Sequence, residues 1–285
     1  MGLTKRMQQI ADLVTPGLVV ADIGCDHAFL PIDLVSRGIC PSALAMDVNK
    51  GPLERAKAHV KEAQLEDRIE LRLSDGMTKL KPGEAECAIL AGMGGKLICR
   101  ILNDAPETLS TLKELVLSPH ADVREVRLFL DAHGFRIVQE AFLLEEGKYY
   151  TVIKAQKELR PQAHADAPMS VETAASEADA KTQIHHLTEA ELRFGPCILR
   201  ERPPVFLTFL QKEEAQKQGI LKTLQDAVQN AEETEALQNR EAAQNTEKTK
   251  AVQSEASAAD PGKIPERIRE LEADLQLIRM LLEKG

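Results

Sequence analysis

The sequence predicts an α/β protein: a doubly wound, Rossmann-like domain over residues 1–155, then an α-helical coiled-coil domain over 190–285. Three observations carry this. Short apolar runs alternate with amphipathic helical stretches from Leu18 to Ile153. The first four runs each end in an acidic residue or a glycine turn. The end of the chain holds a regular a/d stripe. In order, the runs are LVVADIG (18–24), ALAMDV (43–48), IELRLSDG (69–76), CAILAG (87–92), LVLSP (115–119), FRIVQE (135–140) and YYTVIK (149–154). Helical patterns such as Gly51–Ala63 and Asp122–His133 lie between them, which is the spacing of a mostly parallel sheet. The last two runs are joined by a short EEGK turn, so they are expected to close the sheet as an antiparallel hairpin.

Residues 156–189 are rich in Ala, Ser, Glu and Pro and read as a linker. Beyond it, 206–238 is helical, with Leu207, Leu210, Leu221, Leu224, Val228 and Ala231 near heptad spacing and with Glu214 and Lys217 interrupting the seam. A second helix carries Pro265 in its first turn and Ile264, Ile268, Leu271, Leu275, Ile278 and Leu282 as a stripe. The segment 239–262 has Val252 as its only large aliphatic and is expected to be a disordered tip. Two arrangements fit: an antiparallel pair within one chain, or pairing of the final helix between two copies in a homodimer.

Composition narrows the function. The chain carries 36 Lys and Arg against 45 Asp and Glu, which argues against sequence-blind nucleic-acid binding. The stretch 193–222 runs the other way, with Arg193, Arg200, Arg202, Lys212, Lys217 and Lys222 against three glutamates. A polyanionic partner is expected there if there is one. The five cysteines are an odd number without a C-x-x-C pair, which fits a reducing, cytoplasmic setting. No run is long and apolar enough for a membrane span. His185 and His186 have no third ligand at metal spacing, so no metal is expected.

The chemistry sits in the turns. A buried strand reaches Asp22, then Gly24, Cys25, Asp26 and His27 precede a helix start. A sharp turn with its backbone near a ligand needs glycine, and the first amides of the next helix face that ligand. Dinucleotide enzymes use three glycines there for a pyrophosphate; here only Gly24 is present, and two carboxylates accompany it. That combination suits a cofactor without phosphate that carries ammonium and sulfonium charge, S-adenosylmethionine. Asp47, with Val48 after it, ends the second run 23 residues beyond Gly24, where an acidic side chain accepts both ribose hydroxyls. Asp75 and Gly76 end the third, placed for the adenine amino group. Gly92 and Met93, in A-G-M-G-G (91–95), end the fourth at the edge where open α/β sheets bind ligands. The thiols of Cys25 and Cys87 are read as structural.

With these residues in view, the sequence resembles the bacterial tRNA (adenine-22-N1)-methyltransferase family. The matching segments are D-I-G-C-D-H-A-F-L-P (22–31), M-D-V-N-K-G-P-L (46–53), L-S-D-G-M (73–77), A-G-M-G-G-K-L-I (91–98), a loose E-x5-G-K-x-Y from Glu140 to Tyr150, and F-G-P (194–196). The resemblance implies a class I methyltransferase domain, S-adenosylmethionine as cofactor, tRNA as partner and methyl transfer to N1 of an adenosine. Phe29 stands where the family has Tyr, and Leu117-Ser118-Pro119-His120 replaces L-Q-P-N. Adenine N1 lies on the Watson–Crick edge, so the base must be unpaired or extruded. Phe29 offers it a stacking face. Methylation leaves positive charge on the adenine, which Asp26 would stabilise, with His27 as proton acceptor or positioning group. Arg193, Arg200 and Arg202 are the candidate phosphate contacts. Two other readings are a methyltransferase acting on a small molecule or protein, and a non-catalytic module that retains cofactor affinity.

Overall fold

In a computed structural model, residues 2–158, 186–244 and 264–283 are described. Seven strands form one sheet: β1 Val20–Ile23, β2 Ala43–Asp47, β3 Ile69–Leu73, β4 Cys87–Ala91, β5 Glu114–Ser118, β6 Phe135–Glu145 and β7 Lys148–Lys157. Their order is β3-β2-β1-β4-β5-β7-β6, with β1 to β5 parallel and β7 antiparallel to both neighbours. Each of the seven apolar runs supplies one strand. The central strands are buried on both faces, as a parallel sheet sheathed by helices requires. β6 extends past the expected run 135–140 to Glu145, and the hairpin with β7 stands beyond the carboxyl edge of the parallel strands.

Helices α1 Lys5–Leu13, α2 Phe29–Ser36, α3 Lys50–Glu62, α4 Gly95–Asn103, α5 Pro106–Thr111 and α6 Val123–Ala132 accompany the sheet. α1 is not read from the strand–helix alternation. The Thr4 hydroxyl caps it by accepting from the Met7 amide, and Ile10, Ala11 and Leu13 bury its inner face. One core lies on each side of the sheet. The first holds Ile10, Leu34 and Val60; the second holds Met46, Ile98 and Leu130.

The chain divides into two compact units, Met1–Pro203 and Pro204–Gly285. Helices α7 Glu189–Phe194 and α8 Pro196–Glu201, which the sequence places with the C-terminal part, therefore pack in the first unit. A buried ion pair holds them there. Arg127 on α6 and Glu140 on β6 lie 2.9 Å apart with side chains 1% and 0% exposed. Arg127 donates to the Leu192 and Arg193 carbonyls, and Glu140 accepts from the Cys197 amide. Burial opposes charge on both groups, and each is held ionised by the other. Of the expected linker, residues 159–185 lie outside the described residues. β7 takes its start, and the capping box of Thr188 and Glu191 opens α7 at its end.

In the second unit, α9 Pro204–Gln244 pairs with α10 Ile264–Glu283. Lys217 bonds Asp274 and Arg279 bonds Glu214, each at 2.9 Å, so the helices run antiparallel. The two charged residues that interrupt the α9 seam are thus the cross-links that set its register. Leu271, Leu275, Ile278 and Leu281 are buried on α10, with Leu281 in the place expected of Leu282. The expected disordered tip is corrected at its beginning: α9 stays helical through Gln244. The segment 239–244 has no Gly or Pro and is built from Ala, Glu, Gln, Arg and Asn, so few strong breakers oppose the helix. Residues 245–262 of that tip lie outside the described residues.

Candidate active site

Strand order reverses between β2-β1 and β4-β5, so the loops after β1 and β4 diverge and leave a crevice at their carboxyl ends. The predicted cofactor residues collect around it. Gly24 follows β1 with φ +79°, and a Cβ there would stand 3.0 Å from the Met93 methyl group. The glycine therefore permits both the turn and the approach of the two loops. The Gly24 and Cys25 amides donate to the Met46 carbonyl at 2.8 and 3.0 Å, which ties the loop to the end of β2. Asp26 (φ +50°) and Ala28 (φ +59°) are both left-handed, a strained backbone fixed by its surroundings. One restraint is the Asp47 carboxylate, whose Oδ2 accepts the Asp26 amide at 3.2 Å and whose Oδ1 accepts the Asn49 amide at 2.8 Å.

Asp22 is buried at the end of β1. Burial first, and the Asp47 charge second, push its carboxyl up to about 7. Two buried carboxyl groups at one crevice, which no cation pairs among the described residues, fit a positively charged ligand, which is the charge S-adenosylmethionine carries. Beside them Val48 is 58% exposed and Leu73, paired with Asp47 in register, is 44% exposed. Two large aliphatic side chains at adjacent strand ends offer an apolar wall for a purine ring. Asp75 is exposed, and its carbonyl accepts the Thr78 hydroxyl. Gly76 has a packing reason, since a Cβ there would fall 2.9 Å from Ile101. The Cys25 thiol is driven up by burial, then by Asp22, and stays protonated. Cys87 is likewise buried, and burial raises its pKa.

On the outer side of the first loop, the Asp26 side chain is 67% exposed, and its Oδ2 lies 3.6 Å from His27 Nε2. His27 Nδ1 accepts from Arg55 Nε at 3.3 Å. That bond assigns the His27 proton to Nε2, facing Asp26. Phe29 stacks on His59 at 4.7 Å and on His27 at 5.5 Å, so its ring belongs to an aromatic cluster at the mouth of the crevice. Arg55 and His59 share one face of α3; nothing in the sequence says that this face meets His27.

The L-S-P-H loop follows β5, and its backbone is tied to the A-G-M-G-G loop. The Gly92 amide donates to the Ser118 carbonyl at 3.2 Å, and the His120 amide donates to the Met93 carbonyl at 3.0 Å. Among the described residues, the buried Ser118 hydroxyl has no partner. His120 lies against Arg6, a residue the strand-end reasoning misses because it comes from α1. Arg193, Arg200 and Arg202 are not brought to the crevice. Arg193 is on α7, which packs against α6 and α8. Arg200 is on α8 and Arg202 caps its end, and α8 packs on edge strand β6, four strands from β1, or about 19 Å at the usual strand spacing. Arg193 stacks over Phe194, and Arg200 pairs with Glu201. Among the described residues, no cluster of His, Cys, Asp and Glu is arranged to hold a metal, and no helix is long and apolar enough to cross a membrane.

A methyltransferase-domain family model matches residues 3–153. The chain is 31% identical over 241 residues to the tRNA (adenine(22)-N(1))-methyltransferase of Bacillus subtilis, covering 84% of this chain and 93% of that protein. The crystal structure of the B. subtilis m1A22 tRNA methyltransferase superposes with a TM-score of 0.71 at 26% identity, covering 99% of both chains. A Streptococcus pneumoniae structure, described as a candidate tRNA (m1A22) methyltransferase in complex with S-adenosyl-L-methionine, gives 0.70 at 27% identity and covers 99% of this chain and 100% of that one. On these matches the chain belongs to the tRNA (adenine(22)-N(1))-methyltransferase family, with the methyltransferase domain in its first unit.

Proposed function

We propose that the protein methylates N1 of adenosine 22 in tRNA, with S-adenosylmethionine as methyl donor, in the cytoplasm. The observation that carries the reading is the crevice between the β1 and β4 loops, where Asp22, Asp47, Gly24 and Met93 converge in a chain that belongs to this family. Bound there, the cofactor supplies an activated methyl group. Asp47 holds the ribose hydroxyls, Val48 and Leu73 flank the adenine, and Asp75 with Gly76 closes that end. Asp22 faces the cofactor's positive charge. The Gly24–Cys25 and Gly92–Met93 backbones shape the narrow part of the crevice.

The target base enters beside Phe29, whose ring stacks with His27 and His59. N1 attacks with its own lone pair, so the chain needs no nucleophile and no base to create one. Asp26 is the catalytic residue in this reading, because its exposed carboxylate offsets the positive charge that methylation places on adenine. His27, with its proton on Nε2, acts by positioning that carboxylate. Arg193, Arg200 and Arg202 hold RNA phosphates at a distance from the reacting base. The pairing of α9 with α10 within one chain supports a monomer over a dimer made through α10.

The test is to incubate the purified protein with unmodified tRNA and S-adenosylmethionine, then digest and analyse the nucleosides by mass spectrometry. One N1-methyladenosine per tRNA, lost when adenosine 22 is replaced, is expected. Methylation at another nucleotide, or none, overturns the reading.

A further inference from the structure

The crevice has a second wall that the cofactor residues do not use. Arg6, on the first turn of α1, reaches over the end of β4. Its Nη1 lies 2.9 Å from His120 Nε2, and its guanidinium carbon stands 5.2 Å from the centre of the Tyr150 ring. A Cβ on Gly92 would be 3.9 Å from Nη1 and 4.0 Å from Nη2, so the guanidinium borders the loop that touches Gly24 through Met93. Three elements hold it. The Glu145 carboxylate accepts the Arg6 backbone amide at 3.1 Å, the His120 amide is tied to Met93, and Tyr150 comes from β7. Burial, then Arg6 and Lys148, lower the His120 pKa, so its imidazole is neutral and serves Arg6 as an acceptor.

A guanidinium has five N–H donors in a fixed fork. Among the described residues one of them meets His120, while no carboxylate neutralises the side chain. An arginine oriented by an imidazole and a phenol ring, and aimed along a glycine loop, is built to take two oxygens of one anion.

We propose that Arg6 is the oxyanion anchor of this active site, oriented by His120 and Tyr150, and that it binds a carboxylate or phosphate of one of the two reactants. The inference rests on the methyltransferase reading above. Two sources share this chemistry: the amino-acid carboxylate of S-adenosylmethionine and a backbone phosphate of the target nucleotide. His120 is a positioning residue here. It also gives a purpose to the L-S-P-H loop, which departs from the family pattern at that position.

The experiment measures binding as well as turnover in the full chain. Titrate wild type, Arg6→Gln, Arg6→Lys, His120→Ala and His120→Asn with S-adenosylhomocysteine and with 5′-methylthioadenosine, which lacks the carboxylate. Record KM for tRNA against salt in parallel. If the anion is the cofactor carboxylate, Arg6→Gln loses at least tenfold in S-adenosylhomocysteine affinity and keeps its 5′-methylthioadenosine affinity. If it is an RNA phosphate, both affinities stay within twofold, while KM for tRNA rises at least tenfold and the salt dependence falls by about 0.7–0.9 log units per log unit of salt. In either case Arg6→Lys and His120→Ala fall between wild type and Arg6→Gln, and His120→Asn, which keeps an acceptor, recovers part of the loss. Unchanged binding and KM overturn the proposal, as does equal loss of both nucleosides, which would mean a damaged crevice. A wild-type protein that binds S-adenosylhomocysteine but leaves tRNA unmethylated counts against the substrate assignment, while the two-nucleoside comparison still reads Arg6.

Discussion

At the residue scale the buried Asp22 ties stability to binding. Its carboxyl is raised to about 7 in the folded protein against 3.8 for an exposed aspartate. The folded state therefore holds a proton that the unfolded state has released between those values. The stability this contributes is complete below pH 4 and is lost as pH rises through 7. A cationic ligand reverses the balance by favouring the charged form. The rise in Tm caused by S-adenosylmethionine should therefore grow between pH 6 and pH 8, and binding near neutrality should release a proton, read as a buffer-dependent calorimetric enthalpy. Asp22→Asn should raise the Tm of the ligand-free protein at pH 8 while weakening cofactor binding; a lower Tm at pH 8 would contradict this account. Asp47→Ala should cost about 1.5–3 kcal/mol in S-adenosylhomocysteine binding, the scale of hydrogen bonds to a charged group, and affinity within twofold of wild type would remove it from the site. Asp26→Asn should lower turnover at least ~100-fold in a folded protein, as loss of one electrostatic stabiliser does. These three aspartates are legible in the sequence because each ends or follows an apolar run, where strand geometry alone places it at the carboxyl edge. Arg6, Arg55 and His59 are not legible, because each reaches the site from a helix face whose orientation only tertiary packing decides.

At the element scale, β1, β2, β4 and β5 are read correctly because their cores are near-continuous apolar runs, and β3 because its apolar and charged residues alternate. The boundaries that move are set by tertiary pairing instead. β6 carries on to Glu145 because β7 pairs with it all the way to the turn, although its outer half is only partly buried. The F-G-P segment joins the first unit because Gly195, at φ +98°, lies against Glu140, and any Cβ there would overlap both carboxylate oxygens. Two motifs far apart in sequence, Glu140 and Gly195, thus form one latch with Arg127. Glu140→Ala leaves a buried guanidinium unpaired and should cost about 3–5 kcal/mol by chemical denaturation. Gly195→Ala should destabilise comparably by displacing α8. Either variant with wild-type stability would show that the latch is open in solution.

At the scale of the whole molecule, the net acidic surface and the proposed RNA substrate pull against each other, and a few placed cations must outweigh the rest. Truncation after Pro203 keeps every residue of the cofactor crevice and also Arg193, Arg200 and Arg202, but removes Lys212, Lys217 and Lys222 of the basic stretch. It should therefore leave S-adenosylhomocysteine affinity unchanged while weakening tRNA methylation at moderate salt. A truncated protein with wild-type turnover on tRNA would place all RNA binding in the first unit. Replacing Arg193, Arg200 and Arg202 together with Ala should flatten the salt dependence by one to three phosphate contacts, each ~0.7–0.9 log units. The Arg127–Glu140 latch also bears on how such a protein can change over time. Loss of either ion strands its partner in a dry interior, and any side chain at position 195 collides with the glutamate. Single replacements at 127, 140 and 195 are therefore strongly epistatic. A lineage that abandons the pair must pass through a poorly folding ancestor or change these positions together, so among descendants they should be inherited as a block, whatever RNA each has come to modify.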